Sequence, residues 1–577
     1  LITYIPMALS WLCILGMMGA FGLKFNIINI IISTFIFGLG DDYSIFITDG
    51  LLTEYKTGQK NLASYKTGIF ISAITTMIGI GVLIFAAHPA LQSIGLITII
   101  GMFCVLIISN TIQPILFRFF ITNRTDKKRV PFTLLSILQS ILAFIYFALG
   151  CIVMIILGFI ILKLLPVPLS NRKRIYHQLR HYLTKSMIYV NVHVRKKIIN
   201  PQDEQFKKPA IVICNHHSVI DSLLMQSLNP KLILMVNDWV WNDAFMGPIV
   251  RLGGFIPKEA GYDENLVKIK ALLNDGYSLV IFPEGSRSPT PTLSRFHKGA
   301  FFMAEKLNVD IVPVIFHGTA FVQGKDDNFL LKKGKITVKY LPRISPDDKT
   351  FGEGYAQRTK LISRHFKAAY AAVRKEIETV DYYVNRLSKN YIYKGPILEW
   401  YMRIKVNLED HYRLFESLLP TKGLITDIGC GYGFLPYMLS FTSEERKIIG
   451  MDYDGEKIAV ADHCFSKNEQ LTFIAADATK TELPKSDAFV LSDILHYLPG
   501  KEQEQLLIKC IRSLNPGGII LLRDADKDLR KRHMGTRYTE FFSTNFGFNK
   551  ATNKLEFVSS DFIAAIVQKN NMSLEKI

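Results

Sequence analysis

Five long apolar runs in the first 166 residues constrain the fold more than any other feature of the sequence. Four of them lie at about 5–22, 26–48, 70–87 and 93–117, and each is close to the ~20 residues that an α-helix needs to cross a bilayer. The hydrophobic fraction of the whole chain, 49%, fits a protein that is partly embedded in a membrane. Residues 1–125 are therefore predicted to form transmembrane helices.

The charges between these runs predict their orientation. The connections at 51–68 and 118–129 are rich in lysine and arginine, whereas those at 23–25 and 88–92 are nearly uncharged. Because basic loops remain in the cytoplasm, we expect the two basic connections on that side. The net charge of +18 fits an anionic membrane surface. The basic clusters flank apolar spans and do not interleave with aromatic residues, so no nucleic-acid partner is predicted.

The fifth apolar run, Phe132–Pro166, has basic clusters on both sides. As one straight helix it would be about 50 Å long, whereas the hydrocarbon core is only ~30 Å thick. Both flanks also favour the cytoplasm. These constraints predict a membrane hairpin over 132–166 that breaks near Gly150, with a single tilted span as the alternative.

The rest of the chain has the composition of two α/β domains. Short β-rich runs alternate with helical stretches over 170–375, a tyrosine-rich helical linker is predicted over 376–405, and a second α/β domain over 406–577. The seven cysteines form no CxxC pair, so we predict a reducing environment and no metal site. The chain begins inside an apolar run and stops where another strand is expected, which indicates a fragment of a longer protein.

In the first α/β domain, the apolar run AIVIC leads directly into NHHSVID at 215–221. Four residues separate His216 from Asp221, and three separate His217 from the same aspartate. A neutral imidazole accepts a proton near pH 7, and a carboxylate on its other nitrogen fixes the tautomer. Adjacent histidines point apart and have no third ligand nearby in the sequence, so a metal site is a poor alternative.

Three further blocks follow in order: GGFIPK at 253–258, FPEGSRS at 282–288 and IVPV at 311–314. Together with H-x4-D they resemble the glycerolphosphate and lysophosphatidic acid acyltransferase family over about 200 residues. The resemblance implies the α/β fold of that family. It also implies acyl-CoA or an acyl carrier protein as the acyl donor and a substrate hydroxyl as the nucleophile. It implies catalytic roles for His216, Asp221 and Glu284 and substrate binding by Lys258, Gly285, Ser286, Arg287 and Pro313. His217 would be a variable position. The second block commonly ends in arginine, and here it ends in Lys258, whose alternative role is that of a solvated loop lysine.

The second α/β domain opens with the strand LITDIGCGYG at 424–433. A dinucleotide-binding loop would need a glycine at 434, where this chain has phenylalanine. The pattern is instead similar to class I S-adenosylmethionine-dependent methyltransferases, which have a Rossmann-like fold. The resemblance assigns cofactor binding to Asp427, Gly429, Gly431, Gly433, Asp452, Asp477 and Asp493. It places Asp452 at the ribose, Asp477 at the adenine and Asp493 near the methyl group. His496 is either a base for the methyl acceptor or a packing residue.

Within the second apolar run lies GLGDDYSIF, with Asp41 and Asp42 among apolar neighbours. Ionisable groups inside a membrane are costly and usually functional, although a helix end with hydrated carboxylates explains them equally well by position. The stretch resembles the G-x-D-Y element of the MMPL branch of the RND transporters. In that family the matching residues, Asp42 and Tyr43, relay protons.

These observations predict a fusion of an MMPL-type exporter tail, an acyltransferase and a methyltransferase in a bacterial inner membrane, with both α/β domains cytoplasmic. The expected partners are membrane lipids, a lysophospholipid-like acceptor, S-adenosylmethionine and an acyl carrier protein. Two alternatives remain open. The acyltransferase could serve ordinary phosphatidate synthesis with auxiliary modules, or the protein could be chiefly a transporter whose α/β domains are scaffolds.

Overall fold

A computed structural model describes residues 2–24, 27–258, 262–327, 329–408, 411–526 and 555–577. The chain divides into two compact units. One unit joins Leu1–Phe132 with Val380–Ile577, and the other is Thr133–Thr379.

The amino-terminal part of the first unit is helical. Its helices are α1 (Tyr4–Ala20), α2 (Ile27–Thr57), α3 (Leu62–Gly81) and α4 (Pro89–Phe117). Helix α2 extends nine residues beyond its predicted span, through DGLLTEYKT, in which the leucines, the glutamate and the lysine favour a helix. It ends at Gly58, whose φ of +74° is the left-handed conformation that commonly follows a helix end. Three helical stretches in the described residues are long and apolar enough to cross a membrane: Leu62–Phe85, Pro89–Thr125 and Leu134–Leu164.

The predicted break near Gly150 is wrong. Helix α5 (Leu134–Phe159) runs through Gly150 and continues as a π-helical turn over Ile160–Leu164. A glycine costs a helix only about 1 kcal/mol relative to alanine, and here it allows close packing, since an added Cβ would lie 2.4 Å from Met187. The chain reverses instead at Pro166 and Pro168, which lack a backbone N–H. Helix α6 (Leu169–Val190) then packs along α5.

The second unit is built on a seven-stranded sheet. The strands are β1 (Val194–Ile199), β2 (Ile211–Cys214), β3 (Leu232–Val236), β4 (Ile256–Pro257), β5 (Ser278–Ile281), β6 (Ile311–His317) and β7 (Gly334–Tyr340). Their order is β1-β7-β6-β2-β5-β3-β4, and every pair is parallel except β6 with β7. The central strands β2 and β5 are buried along their whole length, which explains their continuous apolar sequences.

In addition to α5 and α6, this unit has helices that cover both faces of the sheet. They are α7 (Ile220–Leu228), α8 (Asp238–Asn242), α9 (Met246–Leu252), α10 (Tyr262–Asn274), α11 (Gly299–Leu307), α12 (Thr319–Val322) and α13 (Gly354–Ile377). Two apolar cores result, one on each side of the strands. The carboxyl ends of the parallel strands share one edge, where such sheets hold their sites.

The remainder of the first unit is a five-stranded parallel sheet in the order β10-β9-β8-β11-β12. Its strands are β8 (Gly423–Ile428), β9 (Arg446–Asp452), β10 (Leu471–Ala475), β11 (Ser486–Ser492) and β12 (Leu514–Arg523). Its helices are α14 (Val380–Lys389), α15 (Pro396–Leu408), α16 (His411–Leu418), α17 (Phe434–Thr442), α18 (Gly455–Asp462), α19 (Gly500–Ser513) and α20 (Ser560–Lys569).

The segment predicted as a linker, 376–405, is more than a connector. Tyr383, Leu387, Tyr391 and Met402 are buried in the same core as the strands of the five-stranded sheet. The prediction missed this because tyrosine, with its polar hydroxyl, weakens the apolar pattern of a helix that nevertheless buries its aromatic rings.

Candidate active sites

The first site lies at the carboxyl edge of the seven-stranded sheet. Strand β2 ends at Cys214, and helix α7 begins at Ile220, so the short loop between them carries both histidines. The Nδ1 atom of His216 lies 3.0 Å from Oδ2 of Asp221. Its ring stacks on Phe282, with centroids 4.1 Å apart. Since the carboxylate accepts the Nδ1 proton, Nε2 of neutral His216 is left to accept another.

Asp221 is held in place by the backbone of its own loop. Its Oδ2 atom accepts hydrogen bonds from the backbone N–H groups of His217, at 2.8 Å, and Ser218, at 2.7 Å. The residue is fully buried. A buried carboxylate with several donors keeps one orientation, and it can therefore fix the imidazole that it contacts.

The loop after β5 supports the histidine loop from the other side. Oε1 of Glu284 accepts from the backbone N–H of His216 at 2.8 Å, and Oε2 accepts from that of Ser294 at 2.8 Å. The backbone N–H of Ser288 donates to the carbonyl oxygen of His216 at 2.8 Å. Both oxygens of Glu284 therefore bind main-chain amides, and its catalytic role stays a prediction.

His217 points away from this carboxylate. Its ring is buried, and its Nδ1 accepts from Nδ2 of Asn215 at 2.9 Å. Asn215 also exchanges two hydrogen bonds of 2.8 Å with the backbone of Phe316 in β6. Burial lowers the pKa of His217, so its imidazole is neutral at physiological pH. Asn215 and Phe282 were not predictable from the sequence, because neither residue type signals its role without the fold.

The predicted substrate-binding residues occupy different places. Gly285 has a φ of +73°, and a Cβ on it would lie 3.9 Å from Nζ of Lys258, so the lysine amine lies against this loop. Arg287 is half-buried and Ser286 exposed in the same loop. Pro313 instead lies within β6 opposite Ile213, and it is buried. Substrate contact by Pro313 stays a prediction.

The second site lies at the carboxyl edge of the five-stranded sheet. Oδ2 of Asp452, at the end of β9, accepts from the backbone N–H of Gly431 at 2.8 Å, and Oδ1 accepts from that of Asp454 at 2.9 Å. Asp454 in turn caps helix α18 by accepting from Glu456 and Lys457. The glycine loop and the end of β9 are thereby held together. A Cβ on Gly431 would meet no atom within 4 Å, so the loop faces open space at this residue.

Three other predicted acids surround this loop in distinct environments. Burial, with a smaller contribution from the Asp452 carboxylate, raises the pKa of Asp427 to about 8. Asp477 accepts from the backbone and the hydroxyl of Thr479 and pairs with Lys480. Asp493 follows β11 with a φ of +55° and pairs with Arg523 at 2.6 Å. The sheet edge brings all the predicted acids into one region, and it gives Asp452 the most direct contact with the glycine loop.

A histidine–aspartate pair lies beside these acids. Nδ1 of the fully buried His496 is 2.6 Å from Oδ1 of Asp524, the residue that follows β12. Oδ2 of Asp524 accepts from the backbone N–H of Leu495 at 2.9 Å. The His496 ring stacks on Phe557, with centroids 5.6 Å apart. His496 is a candidate from the sequence alone, whereas Asp524 was not predictable because it has no motif around it.

The membrane acids do not form a pair with the predicted tyrosine. Tyr43 is buried, and its hydroxyl is 3.1 Å from Oγ of Ser72 in α3. Asp42 lies on the exposed side of α2, and Asp41 is half-buried. Neighbouring residues on a helix point about 100° apart, so Asp42 and Tyr43 face different surroundings. The proton relay stays a prediction.

Three protein families match this chain. The Acyltransferase family matches residues 189–317, the Methyltransferase domain family matches 425–518, and the MMPL family matches 4–130. A 1-acyl-sn-glycerol-3-phosphate acyltransferase of Limnanthes douglasii is 31% identical over 236 residues, which are 40% of this chain and 81% of that relative. The beta form of this enzyme from Homo sapiens is 28% identical over 160 residues, which are 26% of this chain and 56% of the human protein.

Two solved structures are also similar. The acyltransferase PlsC from Thermotoga maritima is 20% identical, with 41% of this chain and 97% of that chain covered and a TM-score of 0.35. Human N-acetylserotonin methyltransferase in complex with SAM is 18% identical, with coverages of 40% and 69% and a TM-score of 0.25.

The fold and the family matches define a membrane-associated transferase with two enzyme domains, an acyltransferase and a methyltransferase, joined to MMPL-type helices. The predicted three-part fusion and fold class are confirmed. The chain belongs to the 1-acyl-sn-glycerol-3-phosphate acyltransferase family.

Proposed function

We propose that the acyltransferase domain moves an acyl group from a thioester of CoA or acyl carrier protein to a hydroxyl of a lysophospholipid-like acceptor. One observation carries this proposal: Nδ1 of His216 contacts an aspartate that the loop backbone holds fixed. The Limnanthes douglasii and human relatives are named for acylation of a 1-acylglycerol phosphate, which supports an acceptor of this class.

The proposed reaction needs no nucleophile from the protein. Nε2 of His216 accepts the proton of the acceptor hydroxyl while its oxygen attacks the thioester carbonyl. Asp221 stabilises the resulting imidazolium. The C–S bond then breaks, and the thiolate leaves with the proton from His216, giving an ester and a free thiol. Glu284 and Ser288 keep the histidine in position, because both bind its backbone.

The acceptor phosphate is assigned to Lys258 and Arg287, which lie on or against the loop after β5. We expect Arg287→Ala to raise KM for 1-acylglycerol phosphate about 10- to 100-fold, because a hydrogen bond to a charged group contributes roughly 1.5–3 kcal/mol. The effect on kcat should be smaller, since the site of proton transfer is unchanged. Initial rates at varied acceptor concentration measure this split.

Lys268→Ala is the matched control, since Lys268 is an exposed lysine that pairs with Glu264 on α10. It should leave KM unchanged. An unchanged KM in both Lys258→Ala and Arg287→Ala would contradict the phosphate assignment. Arg287→Lys tests the planar fork of the guanidinium, which binds a phosphate through two parallel hydrogen bonds.

We propose in addition that the methyltransferase domain uses S-adenosylmethionine, whose sulfonium supplies an electrophilic methyl group. The residues fit this cofactor: the loop at Gly431 faces open space, and Asp452 lies directly behind it as a carboxylate suited to the ribose hydroxyls. The contact of His496 with Asp524 favours a methyl acceptor with a hydroxyl group, such as a phenol. In this role His496 accepts the hydroxyl proton and Asp524 holds the ring.

Asp524→Asn tests this role, because it preserves shape and removes the negative charge that fixes His496. We expect methyl transfer to a simple phenol to fall at least about 100-fold, with unchanged affinity for S-adenosylhomocysteine. An acidic nitrophenol, which ionises without a base, should show a much smaller loss. An equal loss with both phenols would assign Asp524 a purely structural role and contradict the proposed base.

Both enzyme domains are proposed to face the cytoplasm of a bacterial cell from its inner membrane. The basic connections of the amino-terminal helices support this orientation. Export of a lipid-like product, driven by protons through Asp42 and Tyr43, is the proposed role of the MMPL part.

A further inference from the structure

A buried lysine lies where the membrane helices meet the methyltransferase sheet within the first unit. Lys394, which follows α14, has no exposed surface. Its amine donates to the carbonyl oxygens of Tyr55 at 3.4 Å and Lys56 at 3.2 Å, in the last turn of α2. It also donates to the carbonyl oxygen of His463 at 3.0 Å, directly after α18. One amine therefore caps the carboxyl ends of two helices.

The charge of Lys394 is stabilised by these helix ends. The carboxyl end of a helix carries a partial negative charge, and a cation there is favourable. The amine also lies 4.8 Å from the centre of the Tyr55 ring. Burial lowers the pKa of Lys394, so its protonated form depends on these carbonyl contacts. A displacement of either helix end would separate the buried Lys394 amine from its carbonyl acceptors. Leaving buried polar groups without a hydrogen bond costs free energy.

The ends of α2 and α18 are also in direct contact. A Cβ on Gly58, the residue after α2, would lie 2.1 Å from Nε2 of His463. The imidazole therefore lies directly against the backbone at the end of α2. Nearby, Nζ of Lys128 donates to the carbonyl oxygen of Lys467 at 2.6 Å. Close packing of this kind transmits a shift of one element to the next, because packed interiors are barely compressible.

The same short segment reaches the glycine loop. Tyr391 is fully buried, and its hydroxyl donates to the carbonyl oxygen of Tyr432 at 2.8 Å. Tyr432 lies between Gly431 and Gly433. At its other end, α18 begins at the residues that Asp452 and Asp454 hold. Two routes thus join the cofactor loop to the end of α2, one through Tyr391 and Lys394 and one along α18.

We propose that residues 390–394 couple S-adenosylmethionine occupancy of the methyltransferase domain to the conformation of the carboxyl end of α2, the helix that carries Asp42. The inference rests on cofactor binding by this domain and does not depend on acyl transfer. Coupling of this kind is reciprocal: a ligand or a proton that changes the state of α2 alters the affinity for S-adenosylmethionine by the same factor.

Hydrogen–deuterium exchange of the whole chain in lipid nanodiscs tests this proposal, with S-adenosylhomocysteine as the probe. Saturating probe should slow exchange of residues 50–58 about fivefold, the lower end of typical coupling between sites. Lys394→Met should abolish this slowing while calorimetry still detects probe binding. Lys60→Met is the matched control, because Lys60 is exposed just beyond α2, and it should behave as the wild type.

Tyr391→Phe is a second variant for the case that Lys394→Met does not fold. It removes only the Tyr391 hydroxyl that donates to the carbonyl oxygen of Tyr432. The ring stays edge-on to Phe434, with centroids 4.9 Å apart. We expect the slowing at 50–58 to shrink while the protection at 428–434 persists. Full slowing in both variants would overturn the proposal. An unchanged exchange rate at 50–58 in the wild type would also overturn the proposal, whether the probe binds or not.

Discussion

His216→Ala is expected to reduce acyl transfer about 10²- to 10⁴-fold, the contribution typical of a positioned general base. This corresponds to roughly 3–5 kcal/mol of barrier height. The reason is local, because the Nε2 atom of His216 is the basic nitrogen that the Asp221 contact leaves available. Steady-state transfer from acyl-CoA to 1-acylglycerol phosphate, with the protein in nanodiscs, measures the loss. KM for the acceptor should change little.

His217→Ala is the control for this prediction. Asp221 contacts the backbone N–H of residue 217 and not its side chain, so alanine preserves that hydrogen bond. The variant should lose stability, about 1–3 kcal/mol, because Nδ2 of the buried Asn215 loses an acceptor. Activity per folded molecule should largely remain. Loss of transfer in His217→Ala together with retention in His216→Ala would make His217 the base.

Asp452→Ala is expected to weaken S-adenosylmethionine binding about 100-fold, a change of roughly 2.7 kcal/mol. The substitution removes the acceptor that holds the backbone N–H groups of Gly431 and Asp454, so the loop loses its preformed shape. It also removes the carboxylate proposed for the ribose. Calorimetric titration with S-adenosylmethionine and with S-adenosylhomocysteine measures the effect, which should be equal for both because the ribose is common to them.

Asp487→Ala provides a matched control at the opposite edge of the same sheet. Its carboxylate likewise accepts from a backbone N–H group, that of Leu424 at 2.7 Å, and it also accepts from Asn515 at 2.8 Å. We expect a lower melting temperature and an unchanged affinity for both ligands. Equal losses of affinity in the two variants would attribute the effect of Asp452 to general destabilisation of the domain.

Local patterns in the sequence were sufficient to predict where much of the two sites lies. The apolar run AIVIC forms β2 (Ile211–Cys214), and the strand expected before the glycine loop forms β8 (Gly423–Ile428), because buried parallel strands have short apolar sequences between turns. The position of His216 near Asp221 was likewise predictable, because one strand ends just before His216 and one helix begins just before Asp221.

Contacts between distant segments were not predictable in this way. Asp524 lies 28 residues from His496, and Asn215 bonds to a strand 101 residues away. Lys394 lies in the segment predicted as a linker, because an isolated lysine after a tyrosine-rich stretch resembles an exposed residue until the ends of two helices surround it. The prediction of a break near Gly150 was wrong for a related reason. The helix that packs against α5 there is α6, and its residues lie beyond the apolar run.

The hydrogen bond from Lys394 to Tyr55 joins residues 339 positions apart. At a synthesis rate of about 5–20 residues per second, roughly 17–70 s pass between the emergence of the two residues from the ribosome. During that interval the carbonyl groups of the last turn of α2 remain with water. Capping of this helix by Lys394 is therefore a late event in biogenesis.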